Sequence, residues 1–216
     1  TKDPKQVELC RKCVDVRPFF AYLMEESRLV MTSATLSVNG SFDFVARQVG
    51  LEEYDQAVCP SPFDGERMIF YSADASFSEP NSPAFVDSVA SSVADIARGL
   101  SGRTMALFTS YRNMSKVHEH LRKAAPELTL LVQGSQSKQT ILQRFRASGG
   151  HNHVILATSS FWQGIDIPGQ ALTCVIIDKL PFARPDDPVL FAIERREPGN
   201  SFFGYSVPKA AIALKQ

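Results

Sequence analysis

Five short polar segments, each closing an apolar run, carry the residue types that can grip phosphate or sugar. Thr32-Ser33-Ala34-Thr35 gathers three hydroxyls around one small side chain, so hydroxyls and backbone N–H groups can meet a phosphate or a facing protein surface without steric bulk. An ordinary strand-to-loop turn with capping hydroxyls would use the same residues. Thr109-Ser110-Tyr111-Arg112-Asn113 offers Ser110 to a backbone phosphate and Tyr111 for stacking or hydrogen bonding, with helix capping by Thr109 or Ser110 as the alternative. Val132-Gln133-Gly134-Ser135 is a third segment of this kind. The richest is Thr158-Ser159-Ser160-Phe161-Trp162-Gln163-Gly164-Ile165-Asp166-Ile167-Pro168-Gly169, which holds the chain's only tryptophan. Its hydroxyls and the backbone N–H near Gly164 suit phosphate oxygens, and Asp166 suits a ribose hydroxyl or a water-mediated metal contact. Core anchoring by Trp162 and turn formation by Asp166 are the plainer alternatives. In Asp178-Lys179-Leu180-Pro181-Phe182, Lys179 and Phe182 pair a positive charge with an aromatic face, as single-strand binders do.

These segments must be held by a scaffold, and the spacing between them indicates which. Short apolar runs at residues 29–31, 68–71, 104–108, 128–131, 153–157 and 173–177 read as strands. Helical spacing over 41–49, 84–98, 114–124 and 138–147 separates them, with Gly50 and Gly99 as stops. A strand-compatible stretch at 7–14 opens the chain, and two further helices follow Pro188 and Pro208. Strands this apolar, alternating with helices, predict an α/β fold: a parallel sheet covered by helices on both faces. Polar strand ends then converge on the carboxyl edge of the sheet, the usual ligand face of such a fold.

Bulk properties narrow the partners. Lysine plus arginine and aspartate plus glutamate both number 23 in 216 residues, so any grip on nucleic acid is local, aided by Arg184, Arg195 and Arg196. No apolar run spans a bilayer and no secretory pattern opens the chain, which predicts a cytoplasmic protein with no membrane partner. Cys10 and Cys13 have close spacing but no second pair, and His118, His120, His151 and His153 lack ligand spacing; the expectation is no metal site.

Taken in order, Met31-Thr32-Ser33-Ala34-Thr35-Leu36, Phe108-Thr109-Ser110-Tyr111, Ser160-Phe161-Trp162-Gln163-Gly164-Ile165-Asp166-Ile167-Pro168-Gly169 and Lys179-Leu180-Pro181-Phe182 resemble motifs III, IV and V and the following segment of the DinG/XPD branch of superfamily 2 helicases. Ser41-Phe42-Asp43-Phe44 resembles the bacterial DinG form. The resemblance implies two RecA-like domains that clamp ATP between them and move along single-stranded DNA. On that reading residues 1–59 are the end of the first motor domain, with its terminal strands and motif III, and residues 60–216 are the second, truncated at motif VI. Thr32, Ser33, Ala34, Thr35, Gln163, Gly164 and Asp166 would then serve ATP and its coupling to DNA. Ser110, Tyr111, Gln133, Gly134, Ser159, Ser160, Trp162, Lys179 and Phe182 would line the DNA.

The same resemblance implies ATP and Mg2+ as cofactors of the full-length protein, with any iron–sulfur cluster confined to the missing first domain. The expected partners are single-stranded DNA and that N-terminal motor domain. Neither a G-x-x-x-x-G-K-[ST] phosphate loop nor an Asp-Glu-x-His box is present, Gln163 stands where the family more often has glutamate, and Ala211-Ile212-Ala213-Leu214-Lys215-Gln216 resembles the lead-in to motif VI. The expectation is an ATP-dependent helicase whose isolated C-terminal part is inactive; a non-catalytic docking module for DNA or protein is the alternative, and a doubly wound nucleotide-sugar enzyme a further one.

Overall fold

Strands that are apolar at nearly every position need cover on both faces, and the central strands receive it. The computed structural model describes residues 11–61, 65–80, 82–196, 199 and 201–215. Four strands, β1 (Thr104–Leu107), β2 (Thr129–Val132), β3 (His153–Ala157) and β4 (Cys174–Ile177), form one parallel sheet in the order β2-β3-β1-β4. Met105 lies opposite Ile155 and Val175, and Leu107 opposite Ala157 and Ile177, so alternate residues share a face across the sheet.

Helices α3 (Phe85–Gly99) and α4 (Tyr111–Ala124) pack on one face, where Val93, Ala97, Val117 and Leu121 meet Ala106, Phe108, Val154 and Leu156. Helix α5 (Lys138–Ala147) packs on the other, where Ile141, Leu142 and Phe145 meet Met105, Leu107, Leu131 and Ile155. Phe108, Phe145 and Ile155 are fully enclosed. Each such side chain stabilises the fold by roughly 1.5–3 kcal/mol relative to exposure. This is the parallel α/β sheet with helices on both faces that the apolar runs predict, and it fits the RecA-like form that the family resemblance implies.

The amino ends of the strands are seated by two glycines. Gly102, at φ +87°, would bring a Cβ within 2.5 Å of the Asn152 nitrogen, and Gly150, at φ +74°, within 2.0 Å of the Ala171 carbonyl oxygen. Only a residue without a side chain fits either position. Close approach there allows Arg103 N–H to donate to Gly150 O at 2.8 Å and Asn152 N–H to Ser101 O at 2.7 Å, fixing β1 against β3.

Contacts divide the chain into two compact units, residues 61–180 around the sheet and residues 1–60 together with 181–216. The second of these contains α1 (Arg17–Glu26), α2 (Asp43–Val49), α6 (Pro188–Arg196), a π-helical turn (Phe202–Ser206) and α7 (Val207–Leu214). Gly50 ends α2 in the left-handed conformation, as its position predicts. Phe44 of α2 faces Tyr205 with ring centroids 6.1 Å apart, Arg196 reaches Asp15 at 2.9 Å, and the Lys215 ammonium donates to Ser37 O at 2.9 Å. Described residues within 181–215 thus make contacts with the N-terminal segment.

Three predicted strands are absent from the described residues. Of the 7–14 stretch, residues 7–10 lie outside them and 11–14 are irregular. Leu29-Val30-Met31 is unpaired, with Val30 87% exposed, and Met68-Ile69-Phe70-Tyr71 is unpaired, with Ile69 93% exposed. Local propensity favours extension in both, yet a strand exists only where a neighbouring edge takes its N–H and C=O groups. Among the described residues, the terminal strands expected ahead of the sheet domain are accordingly not formed. Helix α4 also begins three residues before the predicted Met114, because Ser110 caps it.

Candidate functional site

Four of the polar segments leave the carboxyl ends of β1, β2, β3 and β4 and meet along one edge. After β1, Phe108 N–H still pairs with Ala157 O at 2.8 Å, and the chain then turns at Ser110. The Ser110 hydroxyl accepts the Asn113 N–H at 3.2 Å, so the capping role is real, and Tyr111, 56% exposed, opens α4. After β2, Gln133 N–H pairs with Leu156 O at 2.9 Å, which carries the Gln133 side chain between the β1 and β3 ends. Its Oε1 accepts both the Thr158 N–H at 2.6 Å and the Thr158 hydroxyl at 3.1 Å, while its Nε2 donates to the Tyr111 hydroxyl. One amide side chain therefore joins three strand ends.

Beyond β3, Ser159–Phe161 forms a 3₁₀ turn with Ser159 and Ser160 exposed and Phe161 buried in the α5-side core. Trp162 is partly buried against the same core, so the anchoring alternative holds for one side of its indole. Gln163, Gly164 and Asp166 are exposed. Two side chains of α5 that the motif reading did not single out hold this loop. Lys138 donates to Ser160 O at 2.7 Å and Gln163 O at 2.8 Å and lies 5.3 Å from the Phe161 ring centre, and Arg146 donates to Asp166 O. Both were visible only as cations at opposite ends of a ten-residue helix, a pattern that solvated helix faces share.

At the β4 end, Asp178 accepts the Thr109 N–H at 2.9 Å. Burial pushes its carboxyl above the usual carboxylate range, against the opposing pull of the Thr109 N–H and the Lys179 charge. The Lys179 ammonium lies 5.8 Å from the Phe85 ring centre, which anchors it toward α3.

The remaining candidates belong to the other unit. Thr32, Ser33 and Ala34 are exposed, with the Ser33 hydroxyl accepting the Thr35 N–H at 3.2 Å in a local turn; they do not end a strand, because residues 29–31 form none. Phe182 stacks on Phe202 at 5.5 Å with a 29° interplanar angle, so one of its ring faces is covered. Cys10 lies outside the described residues, and among those residues no three His, Cys, Asp or Glu side chains gather as a metal site. Nor does any described helix have the length and apolar character to cross a membrane.

Asp166, the carboxylate nominated for ATP, is exposed and held through its backbone carbonyl.

A parallel open sheet with hydroxyl, amide and ammonium groups gathered at its carboxyl edge is the ligand-facing half of a RecA-like domain. The chain belongs to the helicase C-terminal domain family, whose model matches residues 93–216. It is similar to the ATP-dependent DNA helicase YoaA of Escherichia coli, 39% identical over 190 residues, which cover 87% of this chain and 29% of that protein. Similarity extends to the 3'-5' exonuclease DinG of Bacillus subtilis, 33% identical over 210 residues covering 92% of this chain and 22% of that protein. The ATP-dependent helicase DinG of Mycobacterium tuberculosis is 33% identical over 194 residues, 87% of this chain and 29% of that protein. The chain thus spans less than a third of the length of these relatives.

Proposed function

We propose that this chain supplies the second motor domain of an ATP-dependent DNA helicase, with the sheet edge formed by the ends of β1, β2 and β3 gripping the backbone of single-stranded DNA. The convergence of Ser110, Tyr111, Ser159 and Ser160 on that edge, all carrying hydroxyls and all partly or fully exposed, is the observation that carries the reading. Hydroxyls contact phosphates without reading sequence, which suits a protein that must move along DNA of any composition. In the whole protein, ATP with Mg2+ would be held between this domain and an N-terminal motor domain. Thr32, Ser33, Ala34, Thr35, Gln163, Gly164 and Asp166 would serve ATP and its coupling to DNA, as the family resemblance implies. Translocation and duplex unwinding are then properties of the pair, and the 216-residue chain alone has no appreciable ATPase.

Titration of the chain with a thymidine oligonucleotide, followed by Trp162 fluorescence, tests the grip. Quenching with an affinity that falls steeply with salt is expected, since each phosphate neutralised contributes about 0.7 to the log–log slope for single strands. Absent or salt-insensitive quenching overturns the reading. ATP turnover by the chain alone that disappears in Asp166→Ala would overturn the inactivity.

A further inference from the structure

The amide of Gln133 sits at the centre of the three joined strand ends, and its orientation is decided by chemistry. A backbone N–H can only donate, so the Gln133 atom 2.6 Å from the Thr158 nitrogen must be the carbonyl oxygen. The Thr158 hydroxyl, in a residue only 3% exposed, adds a second bond to that oxygen at 3.1 Å. With the oxygen so committed, the group facing the Tyr111 hydroxyl is the NH2, which has no lone pair to offer. The Tyr111 oxygen is therefore the acceptor, and its own hydrogen must point elsewhere. More than half of Tyr111 is open to solvent, which leaves that hydrogen directed outward.

We propose that Gln133 is a positioning residue rather than a DNA contact: it fixes the Tyr111 hydroxyl as an outward hydrogen-bond donor to a phosphodiester oxygen of the bound strand. This rests on the single-strand reading above and deepens it. A hydroxyl free to rotate presents lone pairs to a phosphate as readily as a hydrogen, and lone pairs repel an anion. A hydroxyl already accepting a bond is set in the favourable sense before the strand arrives, so no orientational freedom is lost on binding. Thr158, directly after a strand of the central sheet pair and buried, makes the bracket rigid.

The test is a double-mutant cycle on the 216-residue chain, with binding of a fluorescein-labelled thymidine oligonucleotide read by anisotropy. Gln133→Glu keeps an oxygen for Thr158 and turns the second one toward Tyr111, which then donates inward. Affinity should fall by about tenfold in the Tyr111 background, and by much less when Tyr111→Phe is already present, because only the added charge remains. Gln133→Met repeats the cycle without charge and covers the case in which the glutamate variant folds poorly. Its loss should be several-fold with Tyr111 and about nil with Phe. Equal losses in both backgrounds would mean that Gln133 acts only through the fold, and would overturn the proposal while leaving the single-strand reading intact. A parent chain that binds no oligonucleotide at all would instead remove the single-strand reading and this proposal with it.

Discussion

The Asp178 carboxylate accepts the Thr109 N–H at 2.9 Å and so ties the end of edge strand β4 to the end of central strand β1. The two residues are 69 positions apart, and their bond places Thr109-Ser110-Tyr111 relative to Lys179.

The buried Asp178 carboxyl has a pH signature. Burial raises the Asp178 pKa in the folded state, so folding favours its protonated form. The stabilisation is complete below the unfolded value near 3.8 and is lost as pH rises through the folded value. Asp178→Asn keeps an acceptor for Thr109 and removes the titration. Urea unfolding at several pH values should show the wild-type stability falling relative to Asp178→Asn as pH rises above the unfolded carboxyl value near 3.8. A difference that stays constant across that rise counts against the assignment.

Lys138→Met should release the loop that carries Ser159, Ser160 and Gln163, because it removes both ammonium bonds while preserving length and apolar contact with Phe161. At an exposed site the cost to global stability should be near 1 kcal/mol. Amide exchange at Ser160, Trp162 and Gly164 should accelerate well beyond what that global change explains, which hydrogen-exchange measurements resolve. Unchanged local exchange would show that Phe161 and Arg146 hold the loop without Lys138.

Ser110 is both a helix cap and a proposed phosphate contact, and two substitutions separate the roles. Ser110→Ala should lower stability by about 1 kcal/mol through the lost cap. Ser110→Asp keeps the cap and adds a negative charge, so thermal stability should hold while oligonucleotide affinity falls. If Ser110→Asp binds as tightly as wild type, the hydroxyl does not face the strand.

Gly150→Ala should be among the most damaging single changes in the sheet unit. It places a methyl 2.0 Å from the Ala171 carbonyl oxygen at a backbone φ of +74°. Loss of more than about 2–3 kcal/mol is expected from the backbone strain together with the clash, measured by denaturant unfolding. A near-neutral result would mean that the Ala171 turn yields easily.

The strand ends that form the candidate site are legible in the sequence, and for a local reason. The strands at 104–107, 153–157 and 174–177 are short apolar runs closed by hydroxyl-rich or charged segments, and the sheet they form is parallel, so their polar ends necessarily share one edge. Helix α5 and the left-handed stop at Gly50 likewise follow from spacing and residue type alone. The runs at 29–31 and 68–71 have the same local character, yet remain unpaired and exposed. Composition reports that a segment is able to extend; only a neighbouring edge makes it a strand.

By itself, then, the order of apolar runs and polar closures determined the α/β class, the helicase family resemblance and, the Thr32–Thr35 segment apart, the polar segments that close the sheet strands. The tertiary structure alone decided what each of those residues does there. Gln133 touches Thr158 and Tyr111 across 25 and 22 positions, Lys138 touches Ser160 across 22, and Asp178 touches Thr109 across 69. Hydrogen bonds of this kind depend on ångström-scale placement of strands that are distant in the chain. No local pattern encodes that placement, because it is set by how the two core faces pack as a whole.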